Sequence, residues 1–503
     1  MAMVWLVVEL LKHSNNPQPT RMASTLTNLA WKFGERLSSQ LVSFAVSIII
    51  ARILDPSDYG LVAMTMVFIS LSNVLVDGGF SSALIQKKNA DKLDFSTVFW
   101  FSVVFAICIY AVLYISAPYI ASFYGEQYYL LTDILRVLGL QVIVYSINSV
   151  QAAYISRKMM FRNFFWATLL GTIMSAAVGI YMAYNEYGVW SIVGQQLTAS
   201  VTNTLTQYYI TRKLPGMEFS FARLKLMFSY GVKLLSANML TTFFLDMRTF
   251  IIGKMYSAAQ LSYFDRGRQY PNLVASNINT SIGTVLFPKM SQQQDDPVII
   301  KATTRKSIRF SAYVMCPLML GLAAVAEPLV RLLLTEKWLP CVPFLQLFCI
   351  IYLFQPIHTA NMQAIKALGR SDIYLKLELI KKTIEIVMLL IIMWISVEAI
   401  AINMAVLTTL FTLVNSHPNI KLLNYSLKEQ FQDIMPAIGM SLIVFACTYF
   451  ITYLPISDPL MLLVQSIVGA LVYILLSKMI KSPEYIYICS LIKRKTGNTK
   501  CGL

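Results

Sequence analysis

The chain has 503 residues, 57% of them hydrophobic and 13% charged, with a net charge of +16. Soluble domains carry roughly 25% charged residues, so a soluble globular protein is excluded and an all-α integral membrane protein is indicated. The excess of 41 Lys and Arg over 25 Asp and Glu fits basic cytoplasmic loops better than nucleic-acid binding.

At roughly 20 apolar residues per span, this length holds about 14 transmembrane helices and leaves no separate soluble domain. Residues 1–29 read as an N-terminal cytoplasmic tail. Met3 to Leu11 is too short to span and carries neither a basic leader nor a small-residue cleavage site, so no signal peptide is expected. The apolar runs then predict spans at 30–54, 60–86, 95–117, 131–153, 164–184, 188–210, 228–254, 262–288, 308–330, 342–365, 377–396, 399–416, 434–453 and 459–478.

Lys and Arg alternate between loops. Lys87, Lys88 and Lys92, then Arg157, Lys158 and Arg162, then Arg212, Lys213, Arg223 and Lys225, occupy one set, and Lys289, Lys301, Arg305 and Lys306 continue it. The intervening loops 55–59, 118–130, 185–187 and 454–458 have none, while Arg331 and Lys337 in 331–341 break the pattern. The alternation predicts an even number of spans with both termini cytoplasmic.

The chain also reads as duplicated. Ile49 to Leu54 matches Ile251 to Tyr256, and Ala83 to Lys87 matches Val285 to Lys289. Six spans separate the copies, which predicts two parallel six-helix bundles around a central cleft. The expected organisation is a first bundle at 30–210, a cytoplasmic linker at 211–227, a second bundle at 228–416, two additional helices at 417–480 and a basic cytoplasmic tail at 481–503.

Charged residues inside apolar runs are few. Span 1 has Lys32, Glu35 and Arg36 on one helical face, where snorkelling to the interface is the alternative to a cavity role. Asp77 lies roughly 13 Å inside span 2, beside Gly78 and Gly79. Spans 7 and 8 carry Lys233, Asp246, Arg248, Asp265, Arg266 and Arg268, and Pro271 predicts a kink. The Asp and Arg residues there could equally form a structural lock. Span 10 is dense in polar groups, with Gln355, His358, Asn361 and Gln363, and span 4 has Gln141, Asn148, Ser149 and Gln151. Such residues face either a cavity or another helix.

No P-loop, paired catalytic carboxylates or long polar outer loop is present, so neither an ATPase nor an enzyme acting on sugars is expected. The seven cysteines and three histidines lack metal-site spacing, so no metal or cofactor is predicted.

Several strings resemble a known family. Ala51-Arg52-Ile53-Leu54-Asp55-Pro56-Ser57-Asp58-Tyr59-Gly60, Gly79-Phe80-Ser81-Ser82-Ala83-Leu84-Ile85-Gln86, Phe264-Asp265-Arg266-Gly267-Arg268-Gln269-Tyr270-Pro271 and Ala367-Leu368-Gly369-Arg370-Ser371-Asp372 are similar to segments of Wzx-like polysaccharide flippases. The likeness is greatest to members handling capsule, colanic-acid-type and teichuronic-acid-type polymers, within the multidrug/oligosaccharidyl-lipid/polysaccharide exporter superfamily. It implies a two-bundle, alternating-access transporter of the bacterial inner membrane, not an enzyme. The implied substrate is an undecaprenyl-diphosphate-linked oligosaccharide for capsule, exopolysaccharide or O-antigen synthesis. Membrane lipids, a polysaccharide polymerase and glycosyltransferases are the implied partners. An anionic diphosphate needs cations, for which Arg36, Lys233, Arg248, Arg266 and Arg268 are the candidates. Asp77 and Asp246 are the candidates for coupling to an ion gradient. The rival readings are a small-molecule or drug cation antiporter on the same fold, and a polymerase or ligase.

Overall fold

The computed structural model describes residues 19–87, 89–211, 216–294 and 296–496. The first 18 residues of the tail read at 1–29, the loop residues Lys88, Arg212 and Lys213, and Lys500 lie outside these residues, and the rest of that tail, 19–29, is helical. Every regular element is helical among those described, as the composition requires. The chain forms two compact units that meet in sequence between Ser262 and Tyr263.

The first unit contains α1 (Pro19–Ile53), α2 (Pro56–Asp77), α3 (Phe80–Gln86), α4 (Lys92–Tyr124), α5 (Leu130–Arg157), α6 (Phe161–Tyr184), α7 (Trp190–Thr211) and α8 (Phe221–Met255). α9 (Ala258–Ser291) crosses the boundary. The second unit continues with α10 (Pro297–Ala324), α11 (Ala326–Leu334), α12 (Val342–Leu353), α13 (Gln355–Ala367), α14 (Ser371–Ile392), α15 (Val397–Leu423), α16 (Leu427–Ile451), α17 (Asp458–Met479) and α18 (Pro483–Thr496). One motif recurs: a short 3-10 turn, Glu126–Tyr128 in the first unit and Glu336–Cys341 in the second, precedes α5 and α12 respectively.

Ten helical stretches among the described residues are long and apolar enough to cross a membrane. This is therefore a multi-pass membrane protein. α7, α8, α9 and α14 fall short of that apolarity, because amides and hydroxyls fill α7 and charges punctuate the other three.

Helices in lipid associate by close packing rather than by hiding apolar surface from water. α6 illustrates this. Its buried residues are Ala167, Gly171, Ser175, Gly179 and Ala183, one small side chain every four positions. A Cβ on Gly171 would stand 3.2 Å from the Ala199 carbonyl oxygen of α7.

Three predicted spans prove to be interrupted. The run expected at 60–86 breaks at Gly78 and Gly79, whose φ angles are +52° and +74°. Only glycine adopts that left-handed conformation without strain. The break also admits α8: a Cβ on Gly231 would lie 2.5 Å from the Gly78 carbonyl oxygen. Arg157 supplies the missing C-terminal donors of α3, with Nη1 donating to the carbonyls of Leu84 (2.8 Å) and Lys87. The runs expected at 308–330 and 342–365 break at Val325 and Phe354. At the second, Pro356 has no N–H to give the carbonyl four residues earlier. α9, by contrast, is helical through Pro271.

One end of the first unit is held by a buried carboxylate. Asp94 is fully buried and receives Lys87 Nζ at 2.6 Å and Arg223 Nη1 at 3.0 Å. Asp91 caps α4 and pairs with Arg223 at 3.1 Å. The Trp100 indole and the Ser96 hydroxyl both donate to the Gly216 carbonyl, fastening the segment that leads into α8. Removing one partner of a buried pair costs about 3 kcal/mol or more. Asp94→Ala is thus expected to lower the melting temperature in detergent by several degrees, and the exposed Asp91→Ala by less. An Asp94→Ala protein melting with the wild type would discard this clasp. The Asp94 backbone N–H, aided by Arg223, holds the Asp91 carboxyl below its ordinary range. Its folded pKa being lowered, its contribution is complete above about pH 4 and is lost as pH falls further.

Candidate functional site: a lysine-lined cavity in the second unit

The Phe354 break starts α13 afresh, and its polar residues then recur along one face at three- and four-residue spacing. Gln355, His358, Thr359, Gln363 and Lys366 from α13 line a cavity of about 390 Å³. α14 contributes Tyr374, Glu378, Lys381, Lys382 and Glu385, and α15 contributes Thr408, Phe411 and Asn415. Small-molecule sites range over roughly 300–1,000 Å³. Lys381 lies ten residues into α14, or about 15 Å along its axis.

Three lysines face two glutamates here. Lys381 pairs with Glu378 at 2.6 Å and Lys382 with Glu385 at 2.9 Å, both at i,i+3 spacing. An ammonium has three N–H donors, so each paired lysine keeps donors for an incoming oxygen. Lys366 instead stands 4.1 Å from the ring centroid of Tyr374. At the cavity wall, Asn415 Nδ2 donates to His358 Nδ1 at 2.6 Å. Thr412 gives its one proton to the Thr408 carbonyl, so its oxygen accepts from His358 Nε2 at 3.0 Å. These partners assign the neutral Nε2–H tautomer. The cavity therefore offers cations, fixed amides and aromatic faces, a set suited to an anionic, hydroxyl-rich ligand.

The polar residues of α13 divide between the two fates open to them. Gln355, His358 and Gln363 line the cavity. Asn361 faces helices instead, donating to Gln430 Oε1 (3.0 Å) and accepting from Asn419 Nδ2 (2.6 Å), which ties α13 to α15 and α16.

The other candidate charges lie elsewhere. In the first unit, Arg36 on α1 and Arg248 on α8 are half-buried and Lys233 on α8 is exposed. Asp246 accepts from the Ser70 hydroxyl of α2. Asp77, two turns beyond Ser70 on the same helix, accepts from Ser81 at 2.5 Å across the Gly78–Gly79 break. In the second unit, Arg266 and Arg268 part company because a two-residue step turns them to different faces. Arg268 pairs with Asp265 at 3.0 Å. Arg266 is buried, donates to Gln269 at 2.7 Å and lies 5.1 Å from the Trp338 ring centroid.

Among proteins of known family, the profile described as polysaccharide biosynthesis protein matches residues 49–343, more than half of the chain. The chain belongs to the polysaccharide biosynthesis protein family. Curated relatives include the teichuronic acid biosynthesis protein TuaB of Bacillus subtilis, 22% identical over 60% of this chain and 62% of TuaB. The match thus spans under two thirds of TuaB. The lipopolysaccharide biosynthesis protein WzxC of Escherichia coli is 24% identical over 66% of this chain and 68% of its own. The fold is similar to that of a solved structure described as the lipid II flippase MurJ, inward closed conformation, with a TM-score of 0.73 over 90% of this chain and 98% of that one at 15% identity. A MATE family transporter of the MOP superfamily, inward-facing, aligns with a TM-score of 0.59 over 77% of this chain and 96% of its own at 15% identity. The resemblance read from the hairpin at 51–60 and the segment 264–271 thus holds at family level.

Lys381, Lys382, Glu378 and Glu385 were not among the residues singled out from this family member's sequence, although the signal was there. Glu378, Lys381, Lys382 and Glu385 put four charges in eight residues inside the span expected at 377–396. Charges placed so deep are costly unless they face a polar cavity or one another.

Proposed function

We propose that this chain is a flippase that carries undecaprenyl-diphosphate-linked oligosaccharide units from the cytoplasmic to the outer leaflet for surface-polysaccharide synthesis. One observation carries the reading: a lysine-lined, hydrogen-bonding cavity walled by α13, α14 and α15 in a polysaccharide biosynthesis protein. Lysines suit the diphosphate, amides and tyrosines suit sugar hydroxyls and ring faces, and the prenyl chain needs no pocket because lipid already solvates it. The names of TuaB, WzxC and the succinoglycan biosynthesis transport protein ExoT of Rhizobium meliloti, 22% identical, support polysaccharide pathways as the setting. A cation antiporter is disfavoured because positive cargo would meet three lysines.

In this reading about 14 helices span the inner membrane as two six-helix bundles plus two C-terminal helices, with both termini cytoplasmic. Arg36, Lys233, Arg248, Arg266 and Arg268 are further cations along the path. Asp77 and Asp246, each beside a serine, are the groups that couple transport to an ion gradient. A polymerase and glycosyltransferases would act on either side of the step.

Purified protein in liposomes should accelerate the flipping of a lipid-linked oligosaccharide, and deleting the gene should leave such units on the cytoplasmic face. Flipping no faster than in protein-free liposomes, together with normal polymer in the deletion strain, would falsify the proposal. Should Asp77→Asn and Asp246→Asn flip at the wild-type rate under an imposed proton or sodium gradient, coupling through them is rejected and a downhill route remains.

A further inference from the structure

Away from the lysine-lined cavity, α18 folds back against α10 and leaves two adjoining cavities of about 500 and 210 Å³. They share Arg305, Arg309 and Glu484, and Lys306 lines the larger. The three cations fall within five residues of α10. Each arginine uses its Nε for a carboxylate: Arg305 to Asp433 at 2.7 Å and Arg309 to Glu484 at 2.9 Å. Both carboxylates are themselves held, Asp433 by the Tyr425 hydroxyl at 2.8 Å and Glu484 by the Ser482 hydroxyl at 2.7 Å. The guanidinium planes are thereby oriented, and their terminal nitrogens keep donors for an oxyanion in the fork geometry that phosphate matches. Lys306 makes no ion pair among the described residues and stands 4.7 Å from the Tyr487 ring centroid.

The surroundings are apolar. Phe310 meets Tyr487 edge-on at 6.0 Å in the wall of the larger cavity. At the start of α10, Val298 is 76% exposed, and Ile486 on α18 is 55% exposed. Exposed aliphatics beside a basic pocket suit an interface with lipid rather than open water. The neighbouring loops carry Lys301, Lys421, Lys428 and Lys481, the basic character expected on the cytoplasmic side, where anionic lipids are concentrated.

We propose that Arg305, Lys306 and Arg309, walled by Phe310 and Tyr487, bind the phosphodiester headgroup of an anionic phospholipid of the cytoplasmic leaflet. The phosphate takes the terminal guanidinium nitrogens and the Lys306 ammonium. The glycerol and first methylenes lie along the two rings. This site is separate from the glycan path and stands whether or not the chain is a flippase.

The test compares the full-length protein in nanodiscs of phosphatidylcholine alone with nanodiscs containing phosphatidylglycerol, reading bound lipid by native mass spectrometry and the melting temperature. Phosphatidylglycerol should be retained and should raise the melting temperature. Lys306→Gln should weaken retention by about fivefold. The Lys306→Gln, Arg309→Gln double variant should weaken it by more than tenfold. Lys306 is exposed, so Lys306→Gln should melt like the wild type in phosphatidylcholine, which separates lost binding from lost folding. Wild-type retention by both variants would overturn the proposal. So would equal stabilisation by millimolar inorganic phosphate in phosphatidylcholine nanodiscs, which would mean that a free anion suffices.

Discussion

Replacing Lys381 and Lys382 together by glutamine is expected to reduce polymer export by at least about a hundredfold while folded protein stays in the membrane. Each lysine offers one charge-assisted contact, worth about 1.5–3 kcal/mol when a charged group is involved. Two such losses multiply, and the cavity is left with Lys366 against Glu378 and Glu385, repelling an anionic ligand. Folding should tolerate the change. Both lysines pair within α14 itself, and their glutamates keep 32% and 21% side-chain exposure. A fourfold variant that also carries Glu378→Gln and Glu385→Gln removes the stranded carboxylates. It should match the wild type in stability and remain defective in export. Export above half the wild-type level from the double variant, at equal membrane abundance, would remove this cavity from the transport path.

The Gly60→Ala protein should scarcely accumulate in folded form. A Cβ at that position would lie 1.9 Å from the Ala258 carbonyl oxygen and 2.4 Å from its carbon. Both atoms are backbone, so no rotamer change relieves the clash, and α2 and the start of α9 would have to separate. Ordinary overpacking costs about 1–3 kcal/mol, where side chains share the adjustment. A clash of backbone against a helix's first turn exceeds that range. Detergent-extracted protein, followed by size-exclusion chromatography, should lose its monodisperse peak. Gly439→Ala is the control: it lies in α16 with nothing within 4 Å of the added carbon, and should be neutral or slightly stabilising. A normal peak from Gly60→Ala would refute this close approach of α2 to α9.

Hydrophobic periodicity located the helices well because a span must satisfy its own backbone in lipid, leaving little freedom over where a run begins and ends. Breaks were harder to read. Gly78-Gly79 sits inside a run whose one charge is Asp77, and two glycines in a membrane helix signal close packing as often as a turn. What decides here is α8: the closeness of Gly231 is a tertiary fact with no local trace. Polar residues followed the same rule. The density of Gln355, His358, Asn361 and Gln363 was plain in the sequence. Which of them meets a cavity and which meets Asn419 depends on the rotation of α13, and that is set by its neighbours. The lysines of α14 were visible as charges. Their place in the cavity became legible only once α13 and α15 stood beside them.

Trp338 is fully buried, with the Tyr263 ring edge-on to its indole at 6.1 Å and the Arg266 guanidinium over its face. An indole shut away from water emits at short wavelength, and a cation held against it makes that emission sensitive to the cation's position. With the other six tryptophans replaced by phenylalanine, this one side chain would act as an optical gauge of whether the 336–341 turn stays seated on α9. A red shift of that emission would report unseating of the turn directly, and an unchanged emission would report that it stays in place, without any label attached to the protein.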